Sequence, residues 1–246
     1  MLSIVASKAE VANPKLVEKQ RAPKEDNLTW LGGMEIPADR VELLLVGGAG
    51  PLHFRVRVAQ AHARHDLSPS YWSHIALVEP RRSPLASTPI REVSLDPPRG
   101  FGFAPRDNAI QVDELDRYRD PTLYPNIASI RVPASWGTIA THLDRLQKQR
   151  SAVDLPELVL SWLAFAWGAG KVGNPLLEGR GVPSAVLAET VLGASGVNLS
   201  PGAVQGASCP ELVWQSAKWW QEFYAESGGD VLSGSYFTPH ALVETT

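Results

Sequence analysis

The chain reads as an α+β domain with strands first and helices second: an antiparallel β-sheet or small barrel, then packed helices. Three observations carry that reading. Short apolar runs bounded by turn residues recur from Arg40 to Val132. After Pro133 the apolar spacing becomes that of helices. No internal repeat or low-complexity block interrupts either half.

Taken in order, residues 1–30 are polar and mixed in charge, with Pro14 and Pro23. They are expected to form a flexible or partner-binding arm, with one short helix near Lys15 to Arg21. Residues 31–246 then form a single domain. Arg40 to Val46 (RVELLLV) is a first buried element, stopped by Gly47-Gly48-Ala49-Gly50-Pro51. That glycine run is a turn, since no GxGxxG or GxxxxGK[ST] pattern follows it. Leu52, Phe54, Val56 and Val58 alternate with His53, Arg55 and Arg57, the period of a half-exposed strand. Ile75 to Val78 is a compact strand behind the turn Ser70-Tyr71-Trp72-Ser73-His74, and Pro80 closes it. Ile90 to Leu95, Ala109 to Val112 and Ile127 to Val132 are further strands, and Asp113 to Asn126 has room for one helical turn.

Ser135 is placed to cap a helix carrying Trp136, Ile139, Leu143 and Leu146 on one stripe. Leu155 to Trp167 is apolar nearly all round and reads as a buried helix. The Gly168-Ala169-Gly170-Lys171 that ends it is no phosphate loop, because Phe165 and Val172 stand where glycine and Ser/Thr are needed. A third helix starts at Pro183 and is closed by Gly196. A fourth opens with the capping-box pattern Ser208-Cys209-Pro210-Glu211 and carries Val213, Ala217, Trp220 and Tyr224. One more strand is expected around Ser235 to Phe237.

Composition narrows the function classes. Length is enough for one sizeable core at 246 residues, and 23 Lys+Arg against 26 Asp+Glu leave a net charge of −3. That balance argues against nucleic acid as a partner, and no polybasic run points to a membrane surface. The single cysteine excludes an intramolecular disulfide and fits a reducing compartment. Leu2 to Ala6 is too short for a signal-peptide core, and Leu158 to Ala169 falls short of the roughly 20 residues that span a bilayer. The expectation is a cytoplasmic protein without transmembrane segments.

The chemistry centres on His74, at the mouth of its strand, where packing can hold an imidazole with one ring nitrogen available for proton transfer. Glu92, on the Ile90 to Leu95 strand, is a carboxylate suited to orient it, or else an exposed strand glutamate. Cys209 sits in the first turn of a helix, where the dipole favours the thiolate. It is either a nucleophile for acyl transfer or a small core residue. His62 and His65, with Asp66, lack further ligands nearby and read as surface residues, so neither a metal nor a cofactor is expected. Trp214, Trp219 and Trp220 could stack a ligand, but on an amphipathic helix they fit core or interface.

Ser73-His74-Ile75-Ala76-Leu77-Val78 resembles the histidine strand of the circularly permuted papain-like hydrolases, the NlpC-type and lecithin:retinol-acyltransferase-like group. The resemblance covers roughly residues 40 to 215, on short motifs. It implies His74 as base, Glu92 as its partner and a cysteine nucleophile at the start of a later helix. The segment similar to that helix start is Val182-Pro183-Ser184-Ala185-Val186-Leu187, leading to Gly196-Val197-Asn198-Leu199. The nucleophile slot thus falls on Pro183, with Ser184 beside it. Either Cys209 has taken over, giving a cysteine hydrolase or acyltransferase acting on a peptide, amide or lipid-like substrate, or the fold is kept without the chemistry. In the second case the domain is a binding or assembly module, meeting a protein partner through the arm or the Trp-rich last helix.

Overall fold

The computed structural model describes residues 16–97, 100, 106–150, 153–223 and 232–239. Its centre is an open seven-stranded sheet in the order β1-β7-β6-β2-β3-β4-β5. The strands are β1 (Leu16–Glu18), β2 (Val41–Gly47), β3 (His74–Val78), β4 (Pro89–Glu92), β5 (Gln111–Glu114), β6 (Asn126–Val132) and β7 (Ser233–Phe237). All neighbours are antiparallel except β1 and β7. The α+β expectation holds, with an open sheet in place of a barrel.

Both sheet faces are covered, which explains why β2 reads as a continuous apolar run. Leu43 and Leu45 face the large core, shared with Trp162, Val186 and Val213 from the helices. Leu44 and Val46 face a second core built on Trp30, Tyr118 and Tyr124. The helices are α1 (Asn27–Gly32), α2 (Pro51–Ala59), α3 (Trp136–Lys148), α4 (Leu155–Ala166), α5 (Pro183–Ala194) and α6 (Pro210–Phe223).

Two segments differ in type from expectation, and two strands differ in bounds: Ile90 to Leu95 is β4, which ends at Glu92, and Ala109 to Val112 is β5, which starts at Gln111. Leu52 to Val58, read as a strand, is α2: Gly50 stands extended before it and Pro51 presets its first turn. Leu52, Val56 and Ala59 then fall at i, i+4 and i+7 on the core side. The expected arm is partly structured. Leu16–Glu18 pairs with β7 as a strand, where a short helix was expected, and Asp26 caps α1 by accepting from the Thr29 N–H. Residues 1–15 lie outside the described residues, as does Tyr224 of the expected α6 stripe.

The later helices start where their caps predict. The Ser135 hydroxyl accepts from the Thr138 N–H, and Pro183 occupies the first turn of α5, nine of whose twelve residues are buried. The α5 and α6 starts are tied side by side. Val182 N–H donates to the Ser208 carbonyl at 2.8 Å and Gly181 N–H to Gly206 at 2.7 Å. Gly181 permits this closeness, since a Cβ there would lie 2.4 Å from the Ser208 oxygen. The capping box expected at α6 is not made. Glu211 turns instead to the Ser70 hydroxyl at 2.6 Å and the Gln215 amide at 2.6 Å.

Candidate functional site

His74 opens β3 opposite Val46 of β2. The turn before it is held by buried polar groups. Ser70 Oγ accepts from Trp72 N–H at 2.9 Å, and the Gln60 amide donates to the Trp72 carbonyl at 2.9 Å. Gln60 also accepts from Glu211 N–H at 2.8 Å, so the start of α6 braces the turn that aims His74.

The period-2 geometry of strands puts His74, Ala76 and Val78 on one face, with Ile90 and Glu92 on the same face of β4. The structure brings His74 and Glu92 together, with Nε2 2.9 Å from Oε2. Two residues not singled out from sequence complete the cluster. Tyr118 donates its hydroxyl to Glu92 Oε2 at 2.6 Å, and Arg117 Nη1 lies 3.2 Å from Oε1 and 3.2 Å from Asp113. Glu92 is fully buried and Arg117 nearly so. Burial alone would raise the Glu92 pKa; His74, Arg117 and the Tyr118 hydroxyl more than offset it and hold the carboxyl below its ordinary value. The Tyr118 hydroxyl is pushed well up, by burial first and then by Glu92. With Nε2 engaged, His74 Nδ1 has no hydrogen-bond partner among the described residues.

A second imidazole stands close by. His53, in the first turn of α2, has Nδ1 2.9 Å from Ser73 Oγ, which also accepts from Gly48 N–H at 3.1 Å. Gly48 makes room for that ring, because a Cβ there would lie 2.4 Å from its carbons. Burial first, then the nearby His74, Arg117 and Arg57, lower the His53 pKa to about 4, so its ring is neutral near neutrality.

His53, Ser73, His74, Arg117 and Tyr118 line one cavity with Ser184, which reaches it from the α5 start; Glu92 is not among the lining residues. Ser184 is buried, and its Oγ accepts from Ile75 N–H at 3.3 Å. The space that a water molecule's centre can reach inside is about 10 Å³, room for about one water.

Cys209 is placed differently. Its neighbour Ser208 is bonded to Val182 at the α5 start, yet the thiol belongs to the large core and is not among the cavity-lining residues. Burial pushes its pKa up to about 12, against the reactive thiolate that its helix-start position promised. Of the four residues singled out from sequence, His74 and Ser184 line the cavity, Glu92 is bonded to His74 without lining it, and Cys209 lies in the core.

His53, Arg117 and Tyr118 were missed for identifiable reasons. The spacing Leu52, Val56, Ala59 after Gly50-Pro51 was a helix signal that would have put His53 in a first turn beside Gly48. Leu115 and Tyr118, three apart within a charged segment, were the signal of a short buried turn.

Among the described residues no group of three or more His, Cys, Asp or Glu could hold a metal, and no helix is long and apolar enough to cross a membrane. No family model matches the chain, and neither a curated protein nor a solved structure matches it.

Proposed function

We propose that this chain is a papain-like domain in permuted order that keeps the base and its orienting carboxylate but lacks a working nucleophile, and that it serves as a binding or assembly module. The observation that carries this reading is the occupancy of the helix start facing His74. Pro183 fills the slot from which a nucleophile would act, and Ser184 beside it accepts from the Ile75 N–H. The one thiol is buried in the core with its pKa raised to about 12. The order of parts supports the papain-like reading: a histidine opening β3, a carboxylate on β4, then a buried helix whose first turn reaches the same cavity. A cavity with room for about one water suits a closed relic better than a substrate cleft. For partner contact, Trp219 and Phe223 near the α6 end stack at 5.0 Å and are 45% and 59% exposed. Exposed aromatics of this kind are enriched at interfaces.

Ser184 favours a second reading, a serine-dependent amide or ester hydrolase, because its hydroxyl shares the cavity with His74. Restoring the missing group separates the two. Pro183→Cys is expected to yield a thiol whose ultraviolet thiolate absorbance, followed against pH, gives an apparent pKa well below the ordinary value of about 8.5, a shift lost in Pro183→Cys/His74→Ala. A thiol at 183 that is indifferent to His74 would remove position 183 as the nucleophile slot. Hydrolysis of a 4-nitrophenyl ester by the wild-type chain, lost in both Ser184→Ala and His74→Ala, would establish the second reading.

A further inference from the structure

α4 is apolar nearly all round, a composition that belongs to a helix covered on every side. The fold covers only part of it. Leu155, Val159, Trp162 and Ala166 are buried against the large core. The other side stands open. There Glu157, Leu160, Ala164 and Trp167 follow at i, i+3, i+7 and i+10, the spacing of a seam between two helices. Leu160 is 68% exposed and Trp167 71% exposed, with the small, half-buried Ala164 between them.

Charge along this face changes sign from end to end. At the α4 start Asp154 is paired with Arg150 at 2.9 Å. Arg180 there serves two exposed carboxylates, Glu157 at 3.6 Å and Glu178 at 3.8 Å, which leaves one negative charge in excess. At the α4 end the excess is positive. Residues 158–177 include no Asp or Glu, and Lys171, just past the helix, is exposed. Arg55 of α2 reaches the same end, its Nη1 3.8 Å from where a Cβ on Gly168 would stand. Neither Arg55 nor Lys171 has an ion-pair partner among the described residues. A second α4 laid antiparallel across the first brings each acidic start to the other's basic end and opposes the two helix dipoles. It also sets Leu160 of each copy against Trp167 of the other. The two Ala164 residues meet midway, where small side chains allow close approach.

We propose that α4 is the interface of a two-fold dimer of this chain, two copies packing antiparallel through Leu160, Ala164 and Trp167. A two-fold contact must be self-complementary, and this stripe is apolar at its centre and opposite in charge at its ends. Its twelve residues span about 18 Å, so the seam is short. The dimer therefore belongs to the weaker interfaces, below about 1,200 Å² of buried surface, with Trp167 as its anchor. The proposal rests on α4 and stands whether or not the His74 cavity turns anything over.

Sedimentation equilibrium of the full chain from about 1 to 200 μM tests it, a range that spans a weak dissociation constant. A monomer–dimer equilibrium is expected. Leu160→Glu and Trp167→Glu enter the interface twice, so each should weaken the dimer by about a hundredfold or more. Leu123→Glu, an equally exposed leucine beside Tyr124 of the second core, should leave it unchanged. Thermal unfolding of each variant checks that it folds. Mild oxidation of Ala164→Cys should link two copies by a disulfide, since the antiparallel pairing brings these residues together. A chain that stays monomeric up to about 200 μM would overturn the proposal, including one that binds phosphatidylcholine–phosphatidylserine vesicles instead. So would a dimer unchanged in folded Leu160→Glu and Trp167→Glu, or one that Ala164→Cys does not cross-link.

Discussion

Replacing Glu92 with alanine tests whether the cluster around His74 is a tight buried unit. The carboxylate is fully buried and takes three charged or strong contacts: His74 at 2.9 Å, Tyr118 at 2.6 Å and Arg117 at 3.2 Å. Its removal leaves a nearly buried guanidinium with Asp113 as its remaining carboxylate, 3.2 Å away and 17% exposed. Stranding one partner of a buried pair costs about 3–5 kcal/mol. That is a large share of the ~5–15 kcal/mol by which a domain is stable. Glu92→Gln keeps the shape and an acceptor for Tyr118 but loses the charge, so about 1.5–3 kcal/mol is expected. Urea unfolding with linear extrapolation measures both, and an unchanged slope would show that the unfolded ensemble is comparable. The folded pKa of Glu92 is depressed, so its contribution is present above the unfolded value of about 4.3 and is lost as pH falls through the folded one. The wild-type advantage over Glu92→Gln should therefore shrink only in acid. A loss under ~1 kcal/mol in Glu92→Ala would refute the reasoning.

Three further outcomes follow from the same geometry. His53 has its pKa lowered to about 4. The unfolded chain therefore binds more protons between about pH 6.5 and 4, and stability falls as pH drops through that window, by up to ~3 kcal/mol. His53→Gln should flatten the slope, which unfolding at a series of pH values reads. Gly181→Ala puts a Cβ 2.4 Å from the Ser208 oxygen; separating α5 from α6 should cost about 1–3 kcal/mol by urea unfolding. Ser184→Ala removes one acceptor, for Ile75 N–H at 3.3 Å, and about 1 kcal/mol is expected by the same assay.

The four later helices, α3 to α6, were the legible part of the fold because their signals are local. Ser135 and Pro183 mark starts that need no knowledge of distant residues. Leu52 to Val58 misled because over so short a segment alternation and a helical stripe share Leu52 and Val56. The sheet order was not readable: β7, from the last part of the chain, inserts between β1 and β6, a pairing fixed by long-range packing. His74 and Glu92 could be paired from sequence because the period of a strand assigns each a face. Arg117 and Tyr118 come from a short turn whose direction only the tertiary fold sets. Cys209 shows the limit of a local rule. Its place at the start of α6, just before Pro210, favours the thiolate, but burial in the core outweighs the dipole.

The most direct test of the missing nucleophile is covalent labelling of the wild-type chain at about pH 8. A fluorophosphonate and iodoacetamide would be used, with adducts located by mass spectrometry. The folded chain is expected to carry no rapid adduct at Ser184 or Cys209, while Cys209 labels readily once urea unfolds it. Rapid labelling of Ser184 or Cys209 in the folded chain, abolished by His74→Ala, would contradict the proposed function and make the His74–Glu92 pair catalytic.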